Sequence, residues 1–479
     1  MTQPRWVSPL GTRYASPAMQ RLWSEEYKIG RWRRVWLALA EAEHELGLEI
    51  PASALEAMRE HLDDVDLDSA ADYERRFRHD VMAHVHAFGE QAPAARPYLH
   101  LGATSAFVTD NADVLVMREA LQVTLGRVIS VVSALRKFAD QHAGVPCLAY
   151  THFQPAQLTT VGKRATLWAQ DLALDIERMV ELLRTLRLRG CKGTTGTQAS
   201  FLELFAGDHA KVRDLEQRVV RKLGMDRAYA VTGQTYPRKL DAHVLDVLSG
   251  IAQSAAKFGG DLRLLQHEGE LLEPFESEQI GSSAMAYKRN PMRAERMGSL
   301  ARHVITLQAN GAHTAAAQWL ERTLDDSANR RLTLPEAFLS VDAILLLALN
   351  IAGGLEIRPV VIARHVSEQM PFMATERWLM LAVRAGGDRQ ALHEVIRVHS
   401  IAASERVGAG ESNDLIDRLT GDDAFAGVDR FALAAELDPA RYVGRAPEQV
   451  ADFHREYLDG LIADAAPLAR DADAGALRV

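Results

Sequence analysis

The sequence predicts an all-α protein built around a central bundle of long helices. Three stretches place apolar or small residues at alternating steps of three and four, the spacing of helices that cross at shallow angles in a bundle. These positions are Leu121, Leu125, Val128, Val132 and Leu135; then Ala165, Trp168, Leu172, Ile176, Met179, Leu183 and Leu186; then Val244, Leu248, Ile251, Ala255, Phe258, Leu262, Leu265, Gly269 and Leu272. Helices of about 30 residues are about 45 Å long, so the predicted bundle is elongated.

The same pattern divides the chain into three predicted domains. We expect an N-terminal helical domain over 1–111, the long-helix bundle over 112–357 and a smaller helical domain over 358–479. The first domain contains an amphipathic helix at 32–48. Long helices leave more apolar surface than one chain covers, so an oligomer with packed bundles is expected. The final run, 471–479, is predicted to be frayed.

Composition and charge narrow the class of protein. Of 479 residues, 47% are hydrophobic and 25% charged, which is ordinary for a soluble protein. No apolar run reaches the 18 or so residues that span a bilayer, and the start lacks a signal-peptide pattern, so we predict a cytoplasmic protein. The net charge of −9 argues against general nucleic-acid binding. Cys147 and Cys191 are expected to be reduced thiols.

The segment 281–296, GSSAMAYKRNPMRAER, holds the densest group of chemically useful side chains. Ser282 and Ser283 follow a glycine, and the donors after them suit carboxylates or phosphate. Basic residues concentrate between Lys288 and Arg302 in an otherwise acidic protein: Lys288, Arg289, Arg293, Arg296 and Arg302. We expect a mobile loop that binds a small anion. A solvated surface loop before a helix is the alternative.

Other candidate site residues lie in short polar segments. Arg13 and Tyr14 are expected in a loop, and Thr104 and Ser105 in a second loop over 101–111 whose hydroxyls and N–H groups suit a carboxylate. His79 stands between Arg78 and Asp80 and is the better site candidate of its cluster, because His84 and His86 read as structural. No metal site is predicted: the histidines lack HExxH spacing, and the acidic run at 64–68 lacks the glycine of a calcium loop.

Three further segments complete the set of candidates. In YTHFQP, 150–155, Pro155 is expected to shape the entry to a helix near residue 159 and to bar strand pairing, so that His152 lies at a helix end as an acid or base. The stretch 190–196, GCKGTTG, reads as a flexible loop able to close over a ligand. The stretch 321–331 reads as a clamp for phosphate or carboxylate, with Arg322, Ser327, Arg330 and Arg331.

Several of these segments together resemble a known family. GSSAMAYKRNP resembles the signature loop GSSxMxxKxNP of the fumarase/aspartase superfamily, and THFQPAQ and LGATSAFVTDN resemble its two other shared motifs. Within that superfamily the chain resembles the adenylosuccinate lyases of the animal-like type. The similarity runs from SPLGTRYASP through RHDVMAHVH, KGTTGTQASF, ERTLDDSANRR and PFMATE to GRAPEQV, and so covers nearly the whole chain.

The resemblance implies a fold and an activity. The fold is the three-domain arrangement of that superfamily, as a homotetramer whose active sites combine residues of different subunits. The activity is the removal of fumarate from adenylosuccinate, giving AMP, and from the succinyl-aminoimidazole-carboxamide ribotide of purine synthesis. The reaction is an anti β-elimination by general acid and base, with no metal or redox cofactor.

The resemblance also implies roles for individual residues. His152 matches the general acid, Ser282 the general base, with Ser283 as a competitor, and Glu295 the carboxylate that orients the histidine. Lys288 and Asn290 match groups that hold the substrate carboxylates and stabilise the carbanion, and His79 matches a second histidine near the phosphate. The remaining matches bind nucleotide or succinyl groups: Arg13, Tyr14, Arg78, Asp80, Thr104, Ser105, Gln234, Arg296, Arg322, Ser327 and Arg331.

One residue departs from the family pattern. The family usually has proline where this chain has Ala286, so the loop loses a fixed φ angle and should be more mobile when open. Ala286→Pro is therefore expected to increase the hydrogen-exchange protection of the loop and to lower KM, with the chemistry intact. Unchanged protection and unchanged KM would contradict this prediction.

Two other functions remain as alternatives at this point. One is a lyase of the same superfamily with a different substrate, such as argininosuccinate, which the arginines at 322–331 and the full-length similarity disfavour. The other is a helical scaffold without activity, which the joint presence of His152, Ser282, Lys288 and Glu295 disfavours.

Overall fold

A computed structural model describes residues 5–471, and most of them are helical. Helices hold 69% of the chain and strands 4%, so the all-α prediction is confirmed. The first helices are α1 Pro17–Leu22, α2 Glu25–Glu45, α3 Ala52–Glu60, α4 Leu67–Phe77 and α5 Asp80–Gln91. A π-helical turn at Leu10–Tyr14 precedes them, where a loop was expected around Arg13 and Tyr14.

The central part of the chain contains the long helices and all four strands described. The helices are α6 Ser105–Gln141, α7 Val161–Thr185, α8 Ala199–Leu204, α9 His209–Lys222, α10 Lys239–His267, α11 Met292–Ala316 and α12 Asp326–Gly354. The strands are β1 Pro146–Thr151, β2 Gln154–Thr160, β3 Leu271–Leu272 and β4 Glu356–Ile357, paired antiparallel as β1–β2 and β3–β4.

The last part of the chain has shorter helices, as predicted. They are α13 Pro359–Met373, α14 Thr375–Arg384, α15 Arg389–Gly408, α16 Leu415–Thr420, α17 Arg430–Ala435, α18 Ala446–Phe453 and α19 Asp459–Ala465. A separate hydrophobic cluster forms here around Trp378, whose indole N–H donates to the Leu433 carbonyl at 2.9 Å. The predicted fraying concerns a run of which residues 472–479 lie outside the described part.

The five longest helices, α6, α7, α10, α11 and α12, form the bundle and its hydrophobic core. The predicted stripe on α6 is buried, and that on α7 is buried except for the partly buried Leu183, with Leu186 just past the helix end. The third predicted stripe extends further past the end of its helix. Helix α10 ends at His267, and Gly269 has a φ of +72°, which stops the helix. Leu272 is buried in β3 instead, so its apolar character reflects a strand.

One predicted domain boundary falls inside a helix, and the other falls between a strand and a helix. The one at 111/112 lies inside α6, whereas the one at 357/358 lies between β4 and α13. The predicted loop over 101–111 extends only to Thr104. The prediction was wrong for residues 105–111, which form the first turns of α6. The division into three domains stays a prediction.

The segment that carries His152 is a β-hairpin, so the prediction of a helix end was wrong. Strands β1 and β2 pair around a two-residue turn of His152 and Phe153, and Pro155 pairs with Tyr150 next to a register irregularity. His152 and Phe153 have φ of +53° and +57°, the left-handed values that such tight hairpin turns require. The helix after the hairpin, α7, begins only at Val161.

The predicted flexible loop at 190–196 is packed into the protein over 190–193, whereas Thr194 and Thr195 are exposed. The Lys192 ammonium lies 2.7 Å from a carboxylate oxygen of Glu216, and both Cys191 and Lys192 are buried. A Cβ added to Gly196, whose φ is +87°, would lie 1.9 Å from the Thr232 carbonyl oxygen. This segment is therefore held by close backbone contact. Cys147 and Cys191 are both buried free thiols, as expected.

One helix of the described part, α12, has the length and composition of a membrane span. Its most apolar 18-residue window has a mean hydropathy of 1.9, and 67% of that window is buried inside the protein. The first turns of the helix carry Asp326, Arg330 and Arg331, and its later residues join the bundle core. Packing within this chain accounts for the apolar composition of α12.

Burial of His84 is expected to make the protein sensitive to acid. Its imidazole lies edge-on to Trp32, and burial, reinforced by Arg33, lowers the pKa of His84 to about 4. An unfolded histidine titrates near 6.5, so the unfolded state binds more protons between about pH 6.5 and 4, and stability falls as the pH falls through that window. His84→Phe should therefore lose less stability than the parent between pH 7 and pH 4, measured as thermal midpoints. Equal losses would contradict the prediction.

Candidate active site

The structure gathers many predicted site residues around one cavity of about 660 Å³ between α5, α6 and α12, here called the central cavity. Its lining includes eight of them: Arg78, His79, Asp80, Ser105, Gln234, Arg322, Ser327 and Arg331. They come from distant parts of the sequence. The fold therefore unites the RHD segment, the start of α6 and the 321–331 stretch, which sequence reasoning had considered one by one.

The start of α5 positions its side chains through helix capping. Arg78 ends α4 in the left-handed conformation, with a φ of +55°, and His79 is the N-cap of α5, where its Nδ1 accepts the Met82 N–H at 3.3 Å. The other ring nitrogen of His79 lies 3.4 Å from the Ser105 hydroxyl. This contact joins the beginnings of α5 and α6 at the cavity wall.

Asp80 links α5 to α12. One carboxylate oxygen accepts the Val81 N–H at 2.7 Å, and the other accepts from Arg331 at 2.9 Å. Burial alone would raise the pKa of Asp80, but these hydrogen bonds hold that pKa below its usual value. Asp80 is therefore an anchor for Arg331, which remains half exposed at the cavity.

A buried ion network forms the floor of the central cavity. Arg238 contacts Asp110 at 3.0 Å and Asp326 at 2.6 Å, and Arg322 contacts the same Asp326 at 2.9 Å. The Tyr236 backbone N–H also donates to Asp110 at 2.8 Å. Each buried charge thus has an opposite charge in contact, which burial requires.

Arg330 belongs to this floor and differs from its neighbours in the predicted clamp. It contacts Asp241 at 2.7 Å and Asp113 at 3.1 Å, and only a small part of its side chain is exposed. Tyr236 donates its hydroxyl to Asp241 at 2.6 Å beside it. Arg330 lines the cavity and is held there by these ion pairs, and its predicted part in a ligand clamp stays a prediction.

Two of the cations that line the central cavity have no carboxylate in contact among residues 5–471. They are Arg78 and Lys28 of α2, whose ammonium lies 5.2 Å from the centre of the Trp32 ring. Sequence reasoning missed Lys28. A signal was present, because Lys28 precedes Trp32 by four residues and so places a charge on the apolar face of α2.

A second cavity, of about 740 Å³, lies between α10 and the segment that precedes α11, and is called the loop cavity. Lys288, Asn290 and Glu295 line it together with Arg263 and His267 of α10. The predicted irregular loop is confirmed, since residues 281–290 contain neither helix nor strand. The loop cavity shares no lining residue with the central cavity.

The base of the signature loop is closed by backbone contacts. The Asn290 amide donates to the Gly281 carbonyl at 2.7 Å. A Cβ on Gly281 would lie 2.1 Å from the Lys288 carbonyl oxygen, so only glycine fits there. The Ser282 hydroxyl oxygen accepts the backbone N–H groups of Ala284 at 3.4 Å and Met285 at 3.2 Å. The serine oxygen thus already accepts two backbone N–H groups.

Two arginines predicted to bind ligand have structural partners instead. Arg289 contacts Glu356 at 3.0 Å and lies over the Phe275 ring at 4.9 Å. Arg293 is buried against Glu276 and the Pro274 carbonyl. The cation that this loop leaves for a ligand is Lys288, which is exposed.

The remaining predicted residues are not brought together within one chain. His152 is exposed at the hairpin tip, and across residues 5–471 no hydrogen bond or ion pair joins it to Ser282 or Glu295. The cation nearest Glu295 is Arg263, at 4.0 Å. Four other predicted residues line neither cavity: Arg13, Tyr14, Thr104 and Arg296.

Comparisons with known proteins agree with the arrangement of motifs. A family model described as "Lyase" matches residues 13–306, and one described as "Adenylosuccinate lyase C-terminus" matches residues 371–453. The adenylosuccinate lyase of Saccharomyces cerevisiae is 50% identical over 453 residues, which are 94% of each chain. That of Schistosoma mansoni is 46% identical over 458 residues, or 95% of each chain.

Solved structures show the same fold at lower identity. The 3-carboxy-cis,cis-muconate lactonizing enzyme of Pseudomonas putida superposes with a TM-score of 0.80 at 24% identity, covering 95% of this chain and 98% of that one. The fumarate lyase of Mesorhizobium sp. BNC1 gives 0.78 at 23%, covering 94% and 99%. Because this chain is 50% and 46% identical to the relatives from Saccharomyces cerevisiae and Schistosoma mansoni over nearly its full length, it belongs to the adenylosuccinate lyase family.

Proposed function

We propose that this chain is a lyase that removes fumarate from adenylosuccinate, leaving AMP. The same reaction on the succinyl-aminoimidazole-carboxamide ribotide, which leaves its carboxamide, is included, and both serve purine nucleotide biosynthesis. The observation that carries the proposal is the match over 94% of both chains to a relative named adenylosuccinate lyase. The cavities support it, because they offer Arg78, Lys28 and Lys288 to a substrate with two carboxylates and a phosphate.

The proposed chemistry is the transfer of two protons around a broken C–N bond. Ser282, as base, takes the proton beside a substrate carboxylate, and His152, as acid, protonates the departing nitrogen. Lys288 and Asn290 hold that carboxylate while the negative charge develops on it. A serine is a weak base, but the N–H groups of Ala284 and Met285 stabilise an alkoxide at the oxygen they already contact. Ser283 is the alternative base.

The nucleotide part of the substrate is assigned to the central cavity. Its volume of about 660 Å³ suits a nucleotide, and hydroxyl and amide groups line it at Ser105, Gln234 and Ser327. His79 stands at the same wall and is assigned to the phosphate. The other predicted contacts are assigned to parts of the substrate that extend outside this cavity: Arg13, Tyr14, Thr104 and Arg296.

The proposal includes a homotetramer with shared active sites, which the separation of these groups supports. His152 and Ser282 have no contact within the described chain, which favours a site that combines residues of more than one copy. The bundle offers apolar side chains for such contacts, because Leu167 and Leu174 of α7, Leu264 of α10 and Ile305 of α11 are exposed. In such a site Glu295 of one copy orients His152 of another. A cytoplasmic location is part of the same proposal.

A direct assay tests the function. Purified protein is incubated with adenylosuccinate, and the release of AMP and fumarate is followed over time. Argininosuccinate, tested in parallel, is expected to remain intact. Absence of turnover of adenylosuccinate would overturn the proposal in favour of a scaffold, and turnover of argininosuccinate alone would favour the other lyase.

Lys28 is expected to bind the anionic substrate without taking part in proton transfer. Lys28→Met keeps the stem that packs on Trp32 but removes the charge, so KM should rise roughly tenfold, the loss of about one charge-assisted hydrogen bond. The kcat value should stay near that of the parent, because uniform binding alone is lost. Lys28→Arg should restore much of the affinity. A fall in kcat with KM unchanged would contradict this role.

A further inference from the structure

A third cavity, a cleft of about 390 Å³ between α2 and α6, contains none of the predicted site residues. It shares no lining residue with the central cavity or the loop cavity. Its floor is apolar, with Leu37 of α2, Leu115 of α6 and Leu223 at the end of α9. A concave site with an apolar floor and a few convergent polar groups is the usual form of a small-molecule site.

The rim of the α2–α6 cleft is strongly cationic. Its lining contains five basic side chains and two carboxylates, Glu41 and Glu119, which gives a net charge of +3. The basic side chains are Arg31, Arg34, Arg118, Lys222 and Arg470. Such a concentration of positive charge is unusual in a chain whose net charge is −9. Cations that converge on one cavity attract a multiply charged anion.

The carboxylates of the cleft leave part of this charge uncompensated. Glu119 is shared by Arg31 at 2.8 Å and Arg470 at 3.1 Å, so one negative charge faces two positive ones. Arg118 has no carboxylate in contact within the described chain, and it donates to the Gly224 carbonyl at 2.6 Å and to the Met225 sulfur at 3.0 Å. A guanidinium with neutral partners keeps its charge available to a ligand.

Carboxylates pair with two further cations of the cleft. Arg34 contacts Asp63 at 2.8 Å, and Lys222 contacts Glu41 at 3.1 Å and Glu45 at 2.7 Å. The Asp63 side chain is 79% exposed, so water and salt screen its attraction for Arg34. An anion seated between Arg34 and Arg118 would contact one guanidinium that has only neutral partners and one whose carboxylate partner is mostly exposed to solvent.

We infer that the α2–α6 cleft is a second ligand site, for a nucleoside polyphosphate. The phosphates match the arginines of the rim, and the base and sugar match the apolar floor. Helix α6 contributes Met117 to the central cavity and Leu115 to the cleft, so the two sites lie on opposite sides of one helix, roughly 10 Å apart. The inference is independent of the proposed lyase activity.

Binding of ATP to the assembled protein, measured by calorimetry, tests the site. Arg118→Gln and Arg34→Gln are each expected to weaken ATP binding roughly tenfold, the loss of one charge-assisted contact, while both keep the kcat and KM of the parent. Arg397→Gln, which alters an exposed pair with Glu394 in the C-terminal part, is the matched control and should bind as the parent does. Binding should also weaken with added salt.

The outcomes separate the cleft from the central cavity. A weakening in either cleft variant that Arg397→Gln does not share supports the site, and thermal midpoints exclude a loss of folding as the cause. Arg78→Gln removes a cation of the central cavity and should leave the cleft site intact. The inference is overturned if neither cleft variant weakens binding, or if Arg78→Gln alone abolishes it.

Discussion

Replacing His152 by asparagine should lower kcat by roughly 10²- to 10⁴-fold, the contribution typical of a general acid. Asparagine tolerates the positive φ that the hairpin turn requires, so the variant keeps the turn and loses only the proton donor. KM should change little, since the imidazole is assigned to the leaving nitrogen. Steady-state kinetics with adenylosuccinate measure both constants.

His142→Asn is the control for this variant. His142 lies edge-on to Phe138 just before the hairpin, away from its tip, and its loss should leave kcat near that of the parent. An active His152→Asn enzyme would remove His152 from the mechanism.

Mixing two inactive variants is expected to restore activity if the sites are shared. His152→Asn subunits supply an intact Ser282, and Ser282→Ala subunits supply an intact His152. Random reassembly of equal amounts should make about a quarter of the sites complete, when each site draws the two residues from different copies. Mixtures without any recovery after reassembly would argue for sites built within single chains.

Replacing Arg238 by methionine should destabilise the protein by about 3–5 kcal/mol, because it leaves buried carboxylates without a partner. The Arg238 side chain is 1% exposed, and its partners Asp110 and Asp326 are as deeply buried. Methionine fills much of the same volume, so the effect isolates the charge. Denaturant unfolding of the assembled protein provides the measurement.

A surface ion pair gives the matched control for Arg238. Arg178 and Glu181 lie three residues apart on α7 and are both largely exposed, so Arg178→Met should cost less than about 1 kcal/mol. If Arg238→Met lost no more stability than Arg178→Met, the floor of the central cavity would not depend on this network.

The long helices were predictable because their buried faces repeat over many turns. The stripes on α6 and α7 are long enough to outweigh local preferences, and the structure buries them apart from the partly buried Leu183. The stripe on α10 ran past its end because Leu272, although in a strand, fits the same spacing. Only the backbone conformation at Gly269 separates the helix from the strand. A single glycine is a weak indication of a helix end when the apolar residues on both sides keep a helical spacing.

The hairpin was missed because its turn residues are atypical. Tight hairpin turns usually contain asparagine or glycine, whereas this one contains His152 and Phe153, and Pro155 stands in the following strand. Each of these three residues is uncommon at its position in a hairpin. Such local exceptions are expected where function constrains the sequence.

The sequence did not distinguish cations that face a cavity from cations held in ion pairs. An arginine that faces a cavity and one in a buried ion pair look alike in a sequence, so Arg330 was grouped with Arg331, and Arg293 with Lys288. Lys28 was missed for the opposite reason, because it lies within a helix outside any motif. The catalytic roles stay predictions until the variants are measured.

Under the proposal of shared sites, the exposed hairpin tip would make turnover depend on protein concentration. If the acid of one copy acts only beside the loop of another, mass action makes specific activity fall once the protein is diluted below the dissociation constant of the assembly. A newly synthesised subunit would then be inert until it met its copies. Incomplete assemblies could not release fumarate, and catalysis would begin only with quaternary structure.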